Sequence, residues 1–514
     1  MVHEIKQAII VTTLKGQETI ILIVQTLSGK VEGLKMEGAY VFRGIPYASG
    51  AGGLRRFRPP APPLPWPGVR RCDRFGAIAL QNPAQEGILS ELAQSEDCLY
   101  LNVWTPEDRS EGLKPVMVYI HGGGFVAGSG AECDGLSFAS EEGIVYVSIN
   151  YRLGALGFLY LGELLGEEYA TSGNNGMLDI IAALQWVQHN IAAFGGDPSR
   201  VTVIGNSAGA KCVASLYVMP KARGLFHRAI AQSGATQAIR DQLTADVTGR
   251  RLLEKLGLSP ANSYRLLELP AEMLIEAQSA VGFDTSHNLH MFGPVADGLV
   301  IPLDPLASLK QDQGLPPLLI GSNEDESAIF IQNDPLLKSP HIGVLEGFFG
   351  RNADVVWNAY QHYCKTMSSE VAWTRTLTEH LYGIGAMQFA EAVTLCGAPV
   401  WMYRLRCGGR LGAIHGYEGS LIQAVFAADP GSFLTPTSED PYAVKDEMNG
   451  LARGMRAAWN AFIRSGDPNT DSLPAWPVYG EDHATMVLDL ASSVRKDLPS
   501  PAGLHVPHQV WRMD

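Results

Sequence analysis

The 514-residue sequence predicts an α/β fold, a mostly parallel sheet with helices on both faces. Three observations carry that reading. Short β-branched runs alternate with segments of helical periodicity across residues 116–232. Hydrophobic residues make up 46% and charged residues 18%, at a mean hydropathy of +0.02, which is enough apolar material for a large core. No internal repeat, low-complexity tract or polar linker cuts the chain into independent units.

Taken in order, residues 1–23 read as a strand-forming extension, with the apolar run Ile20–Val24 at its end. Residues 24–514 read as one domain. The prolines between Pro59 and Pro67 mark a rigid surface loop. Val116–Ile120 and Ile144–Asn150 are short runs flanked by glycine and polar residues, which suits buried parallel strands. From Asn175 to Phe194 the residues Met177, Leu178, Ile181, Leu184, Trp186, Val187 and Ile191 recur at helical spacing, and Gly195-Gly196-Asp197-Pro198 stops that helix. Val201–Ile204 is a strand, Ala208–Leu216 a helix and Phe226–Gln232 a further strand. Residues of about 240–310 and 330–395 are richer in helical pattern and read as insertions over the sheet.

Composition excludes several functions. Lysine plus arginine is 39 and aspartate plus glutamate is 53, giving a net charge of −14, the wrong sign for a phosphate backbone. The basic clusters Arg55-Arg56-Phe57-Arg58 and Arg70-Arg71 read as solvated or ion-paired surface, so no nucleic-acid partner is expected. No run approaches the ~18 apolar residues of a membrane span, so no membrane partner is expected either. The start Met1-Val2-His3-Glu4-Ile5-Lys6 lacks the basic and apolar regions of a secretory signal. Seven cysteines at wide spacings, with no Cys-x-x-Cys pair, read as reduced thiols. No Asn-x-Ser/Thr acceptor is present. A cytoplasmic location is expected.

Two motifs carry chemistry. Gly205-Asn206-Ser207-Ala208-Gly209 lies between a predicted strand and a predicted helix, where a sharp turn exposes a serine at the sheet edge. The flanking glycines let backbone segments pass where side chains would clash. His121-Gly122-Gly123-Gly124-Phe125 directly follows the strand Val116–Ile120, and a glycine run there turns N–H groups toward a developing oxyanion. Each motif alone also fits a plain glycine-rich turn. Together they point to acyl transfer.

The sequence resembles the type-B carboxylesterases, the family that includes cholinesterases and bacterial para-nitrobenzyl esterases, over about Val24 to Trp511. The resemblance rests on those two motifs and on further ordered blocks. These are Phe42-Arg43-Gly44-Ile45-Pro46-Tyr47-Ala48, the stretch Ser95–Trp104, Asn150-Tyr151-Arg152-Leu153-Gly154, Phe194-Gly195-Gly196-Asp197-Pro198 and Gly466-Asp467-Pro468. It implies the α/β-hydrolase fold, with a central twisted sheet and helical insertions over an active-site gorge. The family acid follows Gly-x-x-x-Asp-Glu, matched by Gly321-Ser322-Asn323-Glu324-Asp325-Glu326, and the family base opens His415-Gly416-Tyr417-Glu418, with Val425-Phe426 following. The order Ser207, Glu326, His415 is that of nucleophile, acid and base in this fold.

The resemblance thus implies a serine esterase acting on small-molecule carboxylic esters through an acyl-enzyme. His415 takes the Ser207 proton, Glu326 fixes the imidazole, and the N–H groups of Gly123, Gly124 and Ala208 hold the oxyanion. No metal or organic cofactor is expected, and a monomer or small homo-oligomer is. It also implies that Arg56 pairs with Glu96, that Arg152 pairs with Asp179, and that Ser233 supports the triad. Two features depart from the family pattern. The usual disulfide partner of Cys98 is missing, with Leu80-Gln81-Asn82 in its place, and Asn206 stands where glutamate is usual. The latter weakens any preference for choline esters. Rival readings are the family's inactive adhesion branch, which usually lacks a triad residue, and a long-chain lipase.

Overall fold

In the computed structural model, residues 7–14, 17–84, 86–110, 112–284, 291–309, 314–423, 441–496 and 498 are described. Among the described residues sixteen strands follow in chain order. They are β1 (Gln7–Leu14), β2 (Gln17–Thr26), β3 (Gly29–Met36), β4 (Ala39–Pro46), β5 (Val69–Arg71), β6 (Tyr100–Pro106), β7 (Lys114–Ile120) and β8 (Val145–Ile149). The rest are β9 (Gly196–Asn206), β10 (Arg228–Gln232), β11 (Arg240–Asp241), β12 (Val295–Ala296), β13 (Leu318–Asn323), β14 (Val400–Leu405), β15 (Thr485–Leu488) and β16 (Ser493–Arg495).

Fourteen of these build one sheet in the order β1-β2-β3-β4-β6-β8-β7-β9-β10-β13-β14-β15-β16, with β5 added to β3, while β11 and β12 pair apart. From β1 to β8 neighbours run antiparallel along that order. From β8 to β15 they run parallel. The hairpin β1–β2 continues past residue 23, since β2 runs to Thr26 and pairs with β3.

Strand residues alternate between two cores, because successive side chains point to opposite faces. Val116, Val118 and Ile120 of β7, Val201 and Val203 of β9, and Leu318 and Ile320 of β13 join the core under the helices Asn175–Asn190 and Ala208–Val218. Met117, Ile204 and Leu319, one residue out of step, join the opposite core. There Met455, Trp459 and Phe462 of the helix Pro441–Ser465 cover them. A third cluster, with Phe348, Val356, Trp373 and Leu381, fills the helical segment that follows β13.

The predicted strands and helices recur with shifted ends. The helix over Asn175–Asn190 finishes in a 3₁₀ turn, Ile191–Phe194, and Gly195 at φ 85° ends it in the left-handed region. The strand expected over Val201–Ile204 starts at Gly196, so the glycine-proline stop is itself the first part of β9. Among the described residues no helix is long and apolar enough to cross a membrane.

Candidate active site

Every candidate residue follows the carboxyl end of a parallel strand, where α/β sheets place their sites. Ser207 ends β9 and caps the helix Ala208–Val218 at φ 57°, ψ −122°, a conformation a non-glycine residue holds only under constraint. The constraint is visible. The Ser207 N–H donates to the Gln232 carbonyl at 2.9 Å, and its own carbonyl accepts from Lys211 N–H at 3.0 Å. A Cβ on Gly205 would lie 2.3 Å from the Gly209 carbonyl carbon, and one on Gly209 would lie 2.0 Å from the Ile120 oxygen. Only glycine fits at either place.

The turn after β7 packs against this elbow. A Cβ on Gly122 would stand 3.3 Å from that of Ser207, and Gly123 takes φ +100° with the Ala127 oxygen 2.1 Å from where its Cβ would be. The Gly123 carbonyl is used by the N–H groups of Val126 and Ala127, at 3.0 and 2.9 Å. Among the described residues the N–H groups of Gly123, Gly124 and Ala208 meet no protein acceptor. His121 is buried beside this turn. Burial pushes it down to about 4, its Nδ1 donates to the Gly122 carbonyl at 2.8 Å, and its ring stacks on Tyr151.

Glu326 lies three residues after β13, fully buried, and accepts from His415 Nδ1 at 2.6 Å through Oε2 and from Asn323 N–H at 2.7 Å through Oε1. The His415 N–H donates in turn to the Glu326 carbonyl at 3.2 Å. This carboxylate fixes the tautomer with the proton on Nδ1 and directs Nε2 away. Among the described residues the buried His415 Nε2 finds no hydrogen-bond partner, Ser207 included. The segment still meets the elbow, since a Cβ on Gly416 would lie 3.7 Å from Asn206 Oδ1.

Residues 21–501 match the Carboxylesterase family model. The chain is 35% identical to the Para-nitrobenzyl esterase of Bacillus subtilis over 494 residues, 92% of this chain and 96% of that one. It is 35% identical to the Fumonisin B1 esterase of Sphingopyxis macrogoltabida over 468 residues, 89% and 84% of the two chains. The solved carboxylesterase of Geobacillus stearothermophilus superposes with a TM-score of 0.81 at 37% identity, covering 92% of this chain and 98% of that one. The chain belongs to the carboxylesterase family. It is a carboxylic ester hydrolase with the α/β-hydrolase fold.

In this carboxylesterase the elbow and the segments that carry Glu326 and His415 share a hub to which the sequence alone assigned no role. Glu418, buried three residues after His415, accepts from Ser233 Oγ at 2.6 Å, Asn206 Nδ2 at 2.9 Å and Asn323 Nδ2 at 2.5 Å. Asn323 Nδ2 also donates to the Ile414 carbonyl at 2.7 Å. Burial, then the nearby Glu326, pushes Glu418 up to about 6. The Ser233 role implied by the family is thus a bond to Glu418. Asn323 and Glu418 lie inside blocks already singled out, so the signal was present. Tyr382, whose ring sits 4.6 Å from that of His415, had none.

Asn206 has partners of its own. Its side chain donates to Glu418 at 2.9 Å and to the Gln232 carbonyl at 3.3 Å. A carboxylate is already present one bond away.

Both predicted ion pairs form in the carboxylesterase. Arg56 holds Glu96 by two bonds, at 2.8 and 2.5 Å, and Arg152 holds Asp179 by two, both 2.7 Å. None of the seven cysteines is joined in a disulfide. Val425 and Phe426 lie outside the described residues.

Proposed function

We propose that Ser207, Glu326 and His415 are the nucleophile, acid and base of this esterase, and that its substrates are uncharged small-molecule esters with short to medium acyl groups on aryl or alkyl alcohols. His415 Nε2 takes the proton as Ser207 Oγ attacks the ester carbonyl, and returns it to the departing alcohol. Glu326 stabilises the imidazolium formed between those steps. The N–H groups of Gly123, Gly124 and Ala208 receive the oxyanion, each donor contributing roughly 3–4 kcal/mol in comparable sites. Water, activated by the same imidazole, then hydrolyses the acyl-enzyme.

The observation that carries this reading is the Glu326–His415 bond of 2.6 Å, which leaves a buried Nε2 with no protein partner among the described residues. A histidine held at one nitrogen and open at the other is a base awaiting a proton. A looser serine–imidazole contact is common before substrate binds.

The test is a panel of para-nitrophenyl esters of rising chain length, with a para-nitrobenzyl ester prompted by the relative's name. It is run with and without a serine-directed phosphonate. Ser207→Ala is expected to lose on the order of a million-fold in kcat while melting with the wild type. Retention of more than about a hundredth of the rate, or phosphonate on another serine, refutes the assignment. A cytoplasmic location, supported by seven cysteines without a disulfide, and a monomer or small homo-oligomer complete the reading.

A further inference from the structure

Lys211 is 2% exposed, one turn into the helix that begins at the nucleophile elbow. A lysine costs several kcal/mol to bury as an ion, so its retention there asks for a reason. Its stem packs on the elbow, where a Cβ on Gly234 would meet Lys211 Cγ at 3.0 Å and the Ser207 carbonyl oxygen at 2.6 Å. Its Nζ stands 5.4 Å from the ring centroid of Tyr382, and that ring stacks, tilted by 36°, on the imidazole of His415 at 4.6 Å. Tyr382 is placed there by a π-helical turn, Glu379–Gly383, in a helix that is otherwise α. Such turns cluster at functional sites. Glu326 lies within Coulombic reach of both Lys211 and Tyr382.

We propose that Lys211 is a positioning residue for the triad, its ammonium standing behind the Glu326–His415 pair and opposing proton uptake by the imidazole. The base then stays available in acid that would otherwise silence it. The inference rests on the assignment of His415 as base.

The other groups around the ammonium do not replace it. Glu326 is the acid whose charge acts on it, and Cys212 is its neighbour on the helix. Glu418 is one hydrogen-bonded step away through Asn323, and among the described residues no cation bonds to it. On the π turn, Glu379 is held by Arg404 and Arg375, and burial keeps His380 neutral. Burial draws Lys211 down to about 7 against the pull of Glu326 and Cys212, so it is charged through the acid range where the effect is needed.

The experiment compares wild type with Lys211→Met and Lys211→Gln as full-length enzymes between pH 5 and 9. Two profiles are read: kcat/KM for a para-nitrophenyl ester, and the rate at which a phosphonate labels Ser207. In both variants the acid limb of both profiles is expected to move to higher pH by about half a unit or more. Activity would then fall roughly threefold or more at pH 6 and stay within about twofold of wild type at pH 8.5. A packing role would instead lower the rate by one factor at every pH. An unmoved limb in a variant that still labels at Ser207 overturns the proposal, whereas loss of labelling at Ser207 in wild type would overturn the triad assignment instead. Should neither variant fold, reciprocity supplies the readout in wild type. Phosphonylation of Ser207, which traps the imidazolium, must lower the pH at which the ¹⁵N-labelled Lys211 amine titrates. An unchanged titration overturns the proposal as well.

Discussion

Two buried groups of charge sit in this sheet and are built in opposite ways. On the loops after β4 and β8, Arg152 spends Nε and Nη2 on Asp179 and Nη1 on the Arg58 carbonyl. Arg56 does the same with Glu96 and the carbonyls of Leu266 and Leu269. Each cation there meets its own anion and every donor group has an acceptor. At the carboxyl edge of β9, β10 and β13 the acids are bound by neutral donors instead. Glu326 has a backbone amide and an imidazole, and Glu418 has a hydroxyl and two side-chain amides. The first arrangement closes loops, and the second leaves His415 Nε2 without a protein partner among the described residues, the nitrogen that the proposed triad uses as base.

That contrast can be broken from both sides. Glu326→Gln is expected to lower kcat by on the order of 10⁴-fold, because the imidazole loses its tautomer, with little change in melting temperature. Steady-state kinetics beside a thermal melt checks both halves. Asp179→Ala is the mirror case. It leaves Arg152 buried without its anion and should cost about 3–5 kcal/mol of stability, while the folded fraction labels at Ser207 at the wild-type rate. Denaturant unfolding with phosphonate titration reads this, and a lost labelling rate at full occupancy would blur the distinction.

A smaller effect separates function from stability at Lys211. Its ordinary value is 10.5 and burial lowers it to about 7, so the unfolded chain binds more protons between those values and the native state gains stability as pH rises through them. Below about 7 the cost of burying the ion is fully present. Lys211→Met should therefore melt a few degrees above wild type at pH 6.5, with the gain shrinking toward pH 10. Scanning calorimetry across that range decides it; an equal gain at every pH would mean that packing, not charge, is responsible.

The smallest change expected is that of Asn206→Glu. A carboxylate facing Glu418 makes one of the two take up a proton, so only part of a charge reaches His415. The acid limb should rise by less than a pH unit, and wild type should show little preference for a choline ester over a neutral ester of the same shape. Paired pH–rate profiles and a matched pair of esters test this. A strong choline preference in wild type would show that aromatic side chains bind the cation without help.

What could be read from the sequence divides along the same line. Gly205 and Gly209 were legible because the backbone crosses them at distances no side chain permits. The strands β7, β8, β9 and β10 were legible as short apolar runs because both faces of the sheet are buried. Glu326 and His415 emerged only through family resemblance, since they arrive on separate strands and are joined across 89 residues. The Asn206–Glu418 bond spans 212 residues, and Lys211 meets Tyr382 through a π turn that no periodicity announces. Contacts made by the fold, rather than demanded by the local chain, stayed out of reach.

The absence of room for a methyl group between Gly209 and Ile120 has a practical outcome for heating. The elbow helix and the strand that carries the glycine turn are clamped backbone to backbone, so neither can loosen while the other stays in place. Thermal inactivation should then track the collapse of the central sheet, and an assay of residual activity should serve as a melting curve for the whole protein.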